Sequence, residues 1–174
     1  SFVCFNNIKW IGNGLLIPAG PLREKIENIS KYDAIFLNGN EWDNSNIKSL
    51  INKYNKDIPI FEGTYKPTNI SQFDANAEYL IFSGIGNPES FKETVINNRL
   101  KVIKEIIFPD HYQYTENDIN NILLHAKKLN AQILTTEKDY AKINFNNNID
   151  IKCLKIELTI KDEQKKINYL RLHI

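Results

Sequence analysis

From Tyr79 onward, short apolar runs alternate with amphipathic helical stretches, and that alternation constrains the fold more than any other feature of the chain. Tyr79 to Phe82 reads as a strand, Pro88 to Asn98 as a helix, Leu100 to Phe108 as a strand and Thr115 to Leu129 as a helix. Thr115 and Asp118 stand in capping-box spacing, and Ile119, Ile122, Leu123 and Ala126 share one helical face. Gln132 to Leu134 and Ile149 to Leu158 read as further strands, and Lys161 to Leu172 as a closing amphipathic helix. Strands separated by helices pair in parallel and leave both sheet faces to be covered. The expected class is therefore α/β: a three-layer α/β/α sandwich with a mainly parallel sheet, Rossmann-like.

The first third of the chain reads less regularly. Phe2 to Phe5 has the composition of a buried strand, and Ala34 to Leu37 of a second. Leu22, Ile26 and Ile29 recur at helical spacing, with Pro21 suited to the first helical position. Asp43 or Asn44 is placed to cap a helix whose stripe is Ile47, Leu50, Ile51 and Tyr54. Ile58 to Tyr65 looks extended, but Pro59 assigns it to an edge strand or a linker. Residues 66–76 are polar and lack an apolar period, which sets a domain boundary: one unit over 1–65 and a second α/β domain over 66–174. No internal repeat is evident.

Composition narrows the function classes. Lys+Arg 22 against Asp+Glu 21 leaves no net field to recruit nucleic acid, and the expectation is no nucleic-acid partner. No apolar run approaches the roughly 18 residues that cross a bilayer. Cys4 and Cys153 both sit in apolar strand-like runs and read as buried free thiols. The chain opens at Ser1 and contains no methionine, which is read as a fragment or a processed product. The many Ile, Asn and Lys residues, Asn146-Asn147-Asn148 among them, are read as coding bias.

Four short boxes carry the chemistry. The first is Gly12-Asn13-Gly14-Leu15-Leu16-Ile17-Pro18-Ala19-Gly20-Pro21-Leu22-Arg23-Glu24, whose glycines and prolines fix a backbone path ending in one charge of each sign. Arg23 and Glu24 are either an exposed pair or an arginine for phosphate beside a carboxylate for magnesium. The other three boxes follow strands, where open α/β sheets bind ligands. Gly84-Ile85-Gly86-Asn87-Pro88 is either a tight turn with Asn87 as N-cap or a loop whose amides approach an anion. Asp110-His111, after Ile106-Ile107-Phe108-Pro109, is either a surface loop over Tyr112 and Tyr114 or a proton-transfer pair. Thr135-Thr136-Glu137-Lys138-Asp139 is either a helix start capped by Thr136 or a phosphate site using Lys138 and the hydroxyls. His125 and His173 read as solvated, and no Cys/His spacing suggests zinc.

Taken in order, these boxes resemble the tetraacyldisaccharide 4'-kinase family of lipid A synthesis, over its C-terminal half only. The resemblance implies part of a P-loop kinase unit in residues 1–65, with two α/β/α units joined by a strand-like linker and the active site between them. It implies transfer of the γ-phosphate of ATP, with Mg2+, to the 4'-hydroxyl of tetraacyldisaccharide 1-phosphate, giving lipid IVA. That work is placed on the cytoplasmic face of the bacterial inner membrane, as a peripheral protein. The implied partners are the lipid A disaccharide precursor and the N-terminal P-loop half of the same enzyme.

His111 then matches a histidine that pairs with the catalytic aspartate of the P-loop half, and Asp110 joins it as a catalytic candidate. Arg23, Asn13, Gly86, Asn87, Thr136, Lys138 and Asp139 become candidates for substrate or phosphate binding, and Glu24 for metal. No Gly-x-x-x-x-Gly-Lys-Ser/Thr occurs in the 174 residues, so this portion alone is expected to be inactive. A non-catalytic remnant or split-gene module is the alternative. Two positions depart from the family pattern: Asn6 stands where members usually carry aspartate, and Trp10 where they carry glycine.

Overall fold

The computed structural model describes residues 1–39, 44–143 and 150–173. Two compact units emerge, one formed by Ser1–Lys66 with Leu158–Ile174 and the other by Pro67–Glu157. The closing segment, expected with the second domain, therefore belongs to the first unit.

In the first unit, β1 (Phe2–Asn6) pairs in parallel with β2 (Ala34–Asn38), and β2 in parallel with β3 (Ile60–Pro67). With β8 (Ile156–Ile160) the sheet order is β1-β2-β3-β8. Strand β3 is interior, not an edge, because β8 joins its other side; Pro59 stops one residue short of the strand, and its carbonyl accepts from Ile35 N–H. Side chains alternate across β2. Ile35 and Leu37 pack on one face with Ile51 of α1 (Ser45–Tyr54), while Ala34 and Phe36 pack on the other with Phe61 and Tyr169 of α5 (Glu163–His173).

The helix expected from Leu22 shrinks to a 3₁₀ turn over Ile26–Lys31. Leu22 N–H donates to Leu15 O and its carbonyl accepts from Ile17 N–H, so its backbone is already committed to the preceding loop. Arg23 and Glu24 lie in that loop. Asn44 holds the N-cap position of α1 but its side chain does not cap; it donates to Glu62 instead, at 2.7 Å. Asp43, the other expected cap, and Ile149, the expected start of a strand, lie outside the described residues. β1 is an edge strand that leaves Phe2 and Cys4 exposed, which corrects the reading of a buried strand and a buried thiol.

The second unit follows the alternation. It runs β4 (Glu78–Ser83), α2 (Pro88–Asn97), β5 (Lys101–Ile107), α3 (Glu116–Leu129), β6 (Gln132–Thr136), α4 (Glu137–Tyr140) and β7 (Ile151–Leu154). All four strands are parallel, in the order β5-β4-β6-β7. Tyr79 and Ile81 face the α2 side with Phe91 and Val95, while Leu80 and Phe82 face the α3 side with Ile119 and Ile122. Alternate residues of one strand thus found two separate cores, giving this unit the three layers the sequence pattern implies. The single expected strand over 149–158 is two: β7 here and β8 in the first unit. Thr115 and Asp118 form the capping box in both directions.

Candidate functional site

Parallel strands followed by helices put their strand-to-helix loops on one rim, and three of the four boxes lie along that rim in the second unit. Gly84 follows β4, Phe108–Tyr114 follows β5, and Thr136 ends β6. The expectation that these loops share one sheet edge matches the strand directions.

The exposed part of the rim brings together Asp110, His111 and Lys138. Lys138 Nζ stands 3.8 Å from Asp110 Oδ1, and His111 Nε2 stands 3.8 Å from Asp110 Oδ2. Three-quarters of the His111 side chain is open to solvent. Its backbone takes the left-handed conformation at φ 60, which its N–H stabilises by donating to Gly84 O at 3.2 Å and to Asp110 Oδ1 at 3.0 Å. A β-carbon on Gly86 would meet Asp110 Oδ2 at 3.2 Å, so the absence of a side chain there leaves room for the carboxylate. Asn87 occupies the N-cap position of α2 without a side-chain cap bond. Beneath the loop, Phe108, Tyr112 and Tyr114 stack at centroid distances of 4.8 to 5.5 Å, with Tyr114 edge-on to Phe82.

Two of the phosphate candidates are spent on internal bonds. Thr136 caps α4, its hydroxyl accepting from Asp139 N–H at 3.1 Å and donating to Asp139 Oδ2 at 2.8 Å. Asp139 is 0% exposed. Its carboxylate accepts from Thr136, from Gly84 N–H at 2.9 Å and from Lys142 Nζ at 2.9 Å. Burial pushes its pKa up, but the Lys142, Gly84 and Thr136 hydrogen bonds and the Lys142 charge together win, holding it below the ordinary aspartate range. A buried, fully bonded anion does not bind phosphate, so Asp139 is a structural group. The Tyr114 hydroxyl is buried beside it without a hydrogen bond of ordinary geometry. Burial, followed by the Asp139 charge, raises its pKa strongly.

In the first unit, the loop 12–24 is braced by Asn13, whose Oδ1 accepts from Leu15 N–H at 3.1 Å and whose Nδ2 donates to Ala19 O at 2.9 Å. A β-carbon on Gly20 would strike the Leu15 carbonyl oxygen, so this turn requires glycine. Asn13 is thereby a loop brace, exposed but internally bonded. Glu24 accepts from the Tyr32 hydroxyl and from Asn28 Nδ2, and these two bonds lower its pKa while Tyr32 is raised in return. With Arg23 it lines a pocket of about 340 Å³ floored by Val3, Phe5, Trp10 and Leu22.

Asn6 performs the turn that an aspartate would, its Oδ1 accepting from Ile8 and Lys9 N–H at 3.0 Å each. Trp10 adopts φ 41, a conformation that favours glycine, and stacks on Phe5 at 4.7 Å.

Glu24 supplies one carboxylate, where magnesium takes six oxygen ligands, and no group of three His, Cys, Asp or Glu side chains among the described residues converges as a metal cluster. No helix of the described residues is long and apolar enough to cross a membrane.

The family model for tetraacyldisaccharide-1-P 4'-kinase matches residues 1–174. The chain belongs to the tetraacyldisaccharide-1-P 4'-kinase family. The tetraacyldisaccharide 4'-kinase of Pelagibacter ubique (strain HTCC1062) is 49% identical over 168 residues, covering 97% of this chain and 54% of the relative. That of Rickettsia bellii (strain OSU 85-389) is 41% identical over 163 residues, covering 93% and 49%. The chain spans about half the length of these kinases, as the C-terminal half. Among solved structures, "apo"-form LpxK from Aquifex aeolicus, crystallised in complex with ATP, superposes with TM-score 0.60 at 22% identity, over 97% of this chain and 51% of that one. The likeness at that identity is one of fold, and it agrees with the α/β class.

Sequence reasoning missed Lys142, Gly84 and Tyr114 as a connected group. The signal available was the Asp139-to-Lys142 spacing of three, which puts opposite charges on one helical turn.

Proposed function

We propose that this chain is the C-terminal portion of a tetraacyldisaccharide 4'-kinase, which transfers the γ-phosphate of ATP to the 4'-hydroxyl of tetraacyldisaccharide 1-phosphate to form lipid IVA. The observation that carries the reading is the cluster of Asp110, His111 and Lys138 on one rim of a parallel sheet, in a chain of this family. A P-loop half supplies the phosphate cradle, the magnesium site and a catalytic carboxylate. His111 hydrogen-bonds that carboxylate as it takes the proton from the sugar hydroxyl, and Asp110 orients the imidazole. Lys138 neutralises a phosphate, with Asp110 holding its ammonium in place.

Arg23 clamps phosphate in the first unit, whose residues 1–65 complete the nucleotide-binding unit, and Glu24 contributes one oxygen toward the metal. Gly86 and Asn87 contribute backbone close to Asp110, while Thr136 and Asn13 act by shaping loops. The enzyme works peripherally at the cytoplasmic face of the inner membrane, on its lipid A disaccharide precursor.

The test joins the N-terminal half of the Pelagibacter ubique kinase to this chain and follows label transfer from γ-labelled ATP to tetraacyldisaccharide 1-phosphate. The reading requires a 4'-phosphorylated product made by the joined protein and by neither half alone. A folded joined protein without phosphoryl transfer favours the remnant reading.

A further inference from the structure

Resting on the proposal that His111 acts in phosphoryl transfer, we infer that the buried Asp139–Lys142 pair is a positioning device for His111, acting through the peptide groups of Gly84. Asp139 Oδ2 fixes the N–H of Gly84 at 2.9 Å. The carbonyl of the same residue accepts from Lys142 Nζ at 3.4 Å and from His111 N–H at 3.2 Å. Lys142 closes the ring by donating to Asp139 Oδ1 at 2.9 Å. One glycine is therefore held from both sides by a buried ion pair, and it in turn holds the backbone of the rim histidine.

The linkage answers a specific need. His111 sits at φ 60, a conformation a non-glycine residue keeps only where its surroundings enforce it. Asp110, the other acceptor for its N–H, has its side chain 47% exposed. The Gly84 carbonyl belongs to a buried residue. Gly84 itself has no room to shift, since a β-carbon there would meet Pro109 O and Tyr112 Cβ, both at 3.2 Å. The pair also ties the loops after β4 and β6 together, because Asp139 accepts from Thr136 Oγ1 as well as from Gly84. Lys142 further sits over the Tyr114 ring at 5.9 Å, beneath the loop after β5. All three loops of the rim thus meet at one buried carboxylate and one ammonium only 15% exposed. A surface ion pair would be loosened by solvent; this one is shielded from it.

The experiment compares the parent chain with Lys142→Met and Lys142→Arg by amide hydrogen exchange, reading His111 and Gly84 against Ile81 in the sheet interior. The Met variant keeps the apolar stem and removes the charge. Exchange at His111 and Gly84 should accelerate by about tenfold relative to Ile81, the scale of one lost hydrogen bond, with Arg restoring most of the protection. Unchanged relative exchange at His111 in folded Lys142→Met overturns the inference. Should Lys142→Met fail to fold, the parent decides alone: under low denaturant His111, Gly84 and Asp139 amides must open as one unit, and independent opening of His111 refutes the linkage.

In the joined kinase, Lys142→Met should lower kcat with little change in the KM for ATP, and Lys142→Arg should recover it. An altered exchange with unaltered kcat would uphold the linkage and overturn its part in catalysis. A joined parent enzyme without activity would count against the functional reading, while the exchange result still decides whether the pair positions His111.

Discussion

Replacing Gly84 with alanine isolates the close packing on which the rim depends. An added β-carbon would lie 3.1 Å from the Tyr114 hydroxyl oxygen, 3.2 Å from Pro109 O and 3.2 Å from Tyr112 Cβ. Carbon prefers about 3.5–4.0 Å to other carbons, so these neighbours must retreat by a few tenths of an ångström. None does so freely. Pro109 O is backbone, and Tyr114 is wedged edge-on to both Phe82 and Phe108, at 5.5 and 5.1 Å.

Overpacking of this kind costs about 1–3 kcal/mol, offset by about 0.4–1 kcal/mol from the stiffer unfolded chain. At the middle of both ranges the expected net loss is about 1.3 kcal/mol, or a Tm lower by about 3–5 °C for a chain of this size. Thermal unfolding followed by circular dichroism measures it, with Gly86→Ala as the control. There the added carbon meets only the Asp110 side chain, at 3.2 and 3.7 Å, and that exposed carboxylate can turn away. Gly86→Ala should stay within about 0.5 kcal/mol of the parent, as an exposed change does. Equal Tm values for the two variants, or a stabilised Gly84→Ala, would refute the packing argument.

Other consequences are equally open to measurement. Asp139 has its pKa below the ordinary value of 3.8 in the folded state, so its contribution to stability is present above that value and is lost as pH falls through the lower native one. Urea unfolding should show the parent's advantage over Asp139→Asn shrinking as pH drops below about 3.8; a gap that widens on acidification contradicts the sign. The chain alone should bind magnesium-ATP negligibly, since Arg23 and Lys138 offer side-chain charge without a phosphate cradle. Calorimetric titration with a sub-millimolar affinity would overturn that. Thr115→Ala removes the hydroxyl that closes the α3 capping box and should cost about 1 kcal/mol in urea unfolding, with no loss contradicting the cap's role.

The second unit could be read from sequence because its signals are local. Short apolar runs, the Thr115–Asp118 capping box and the Thr136 cap each declare themselves within a few residues. The first unit was harder, since what decides it is distant. β3 becomes interior only because β8, almost a hundred residues later, joins it, and nothing in Ile58 to Tyr65 announces that partner. The helical spacing of Leu22, Ile26 and Ile29 misled because Leu22 spends its backbone bonds on Leu15 and Ile17.

The candidate site divides in the same way. Asp110, His111 and Lys138 follow strands, so topology alone gathers them. That Asp139 points inward, and depends on Lys142 and on the Gly84 amide, is set by a bond spanning 55 residues. Charge pattern alone cannot tell a buried clamp from a surface phosphate ligand.

The most direct measurement of the central claim is the turnover of His111→Ala in the joined kinase. With His111 supporting proton removal from the sugar hydroxyl, kcat should fall by up to about 10²–10⁴-fold while the KM for ATP changes little. Turnover within about twofold of the parent would be far below the effect of a group engaged in proton transfer. That result would make the histidine structural and contradict the assignment of the rim as the working site.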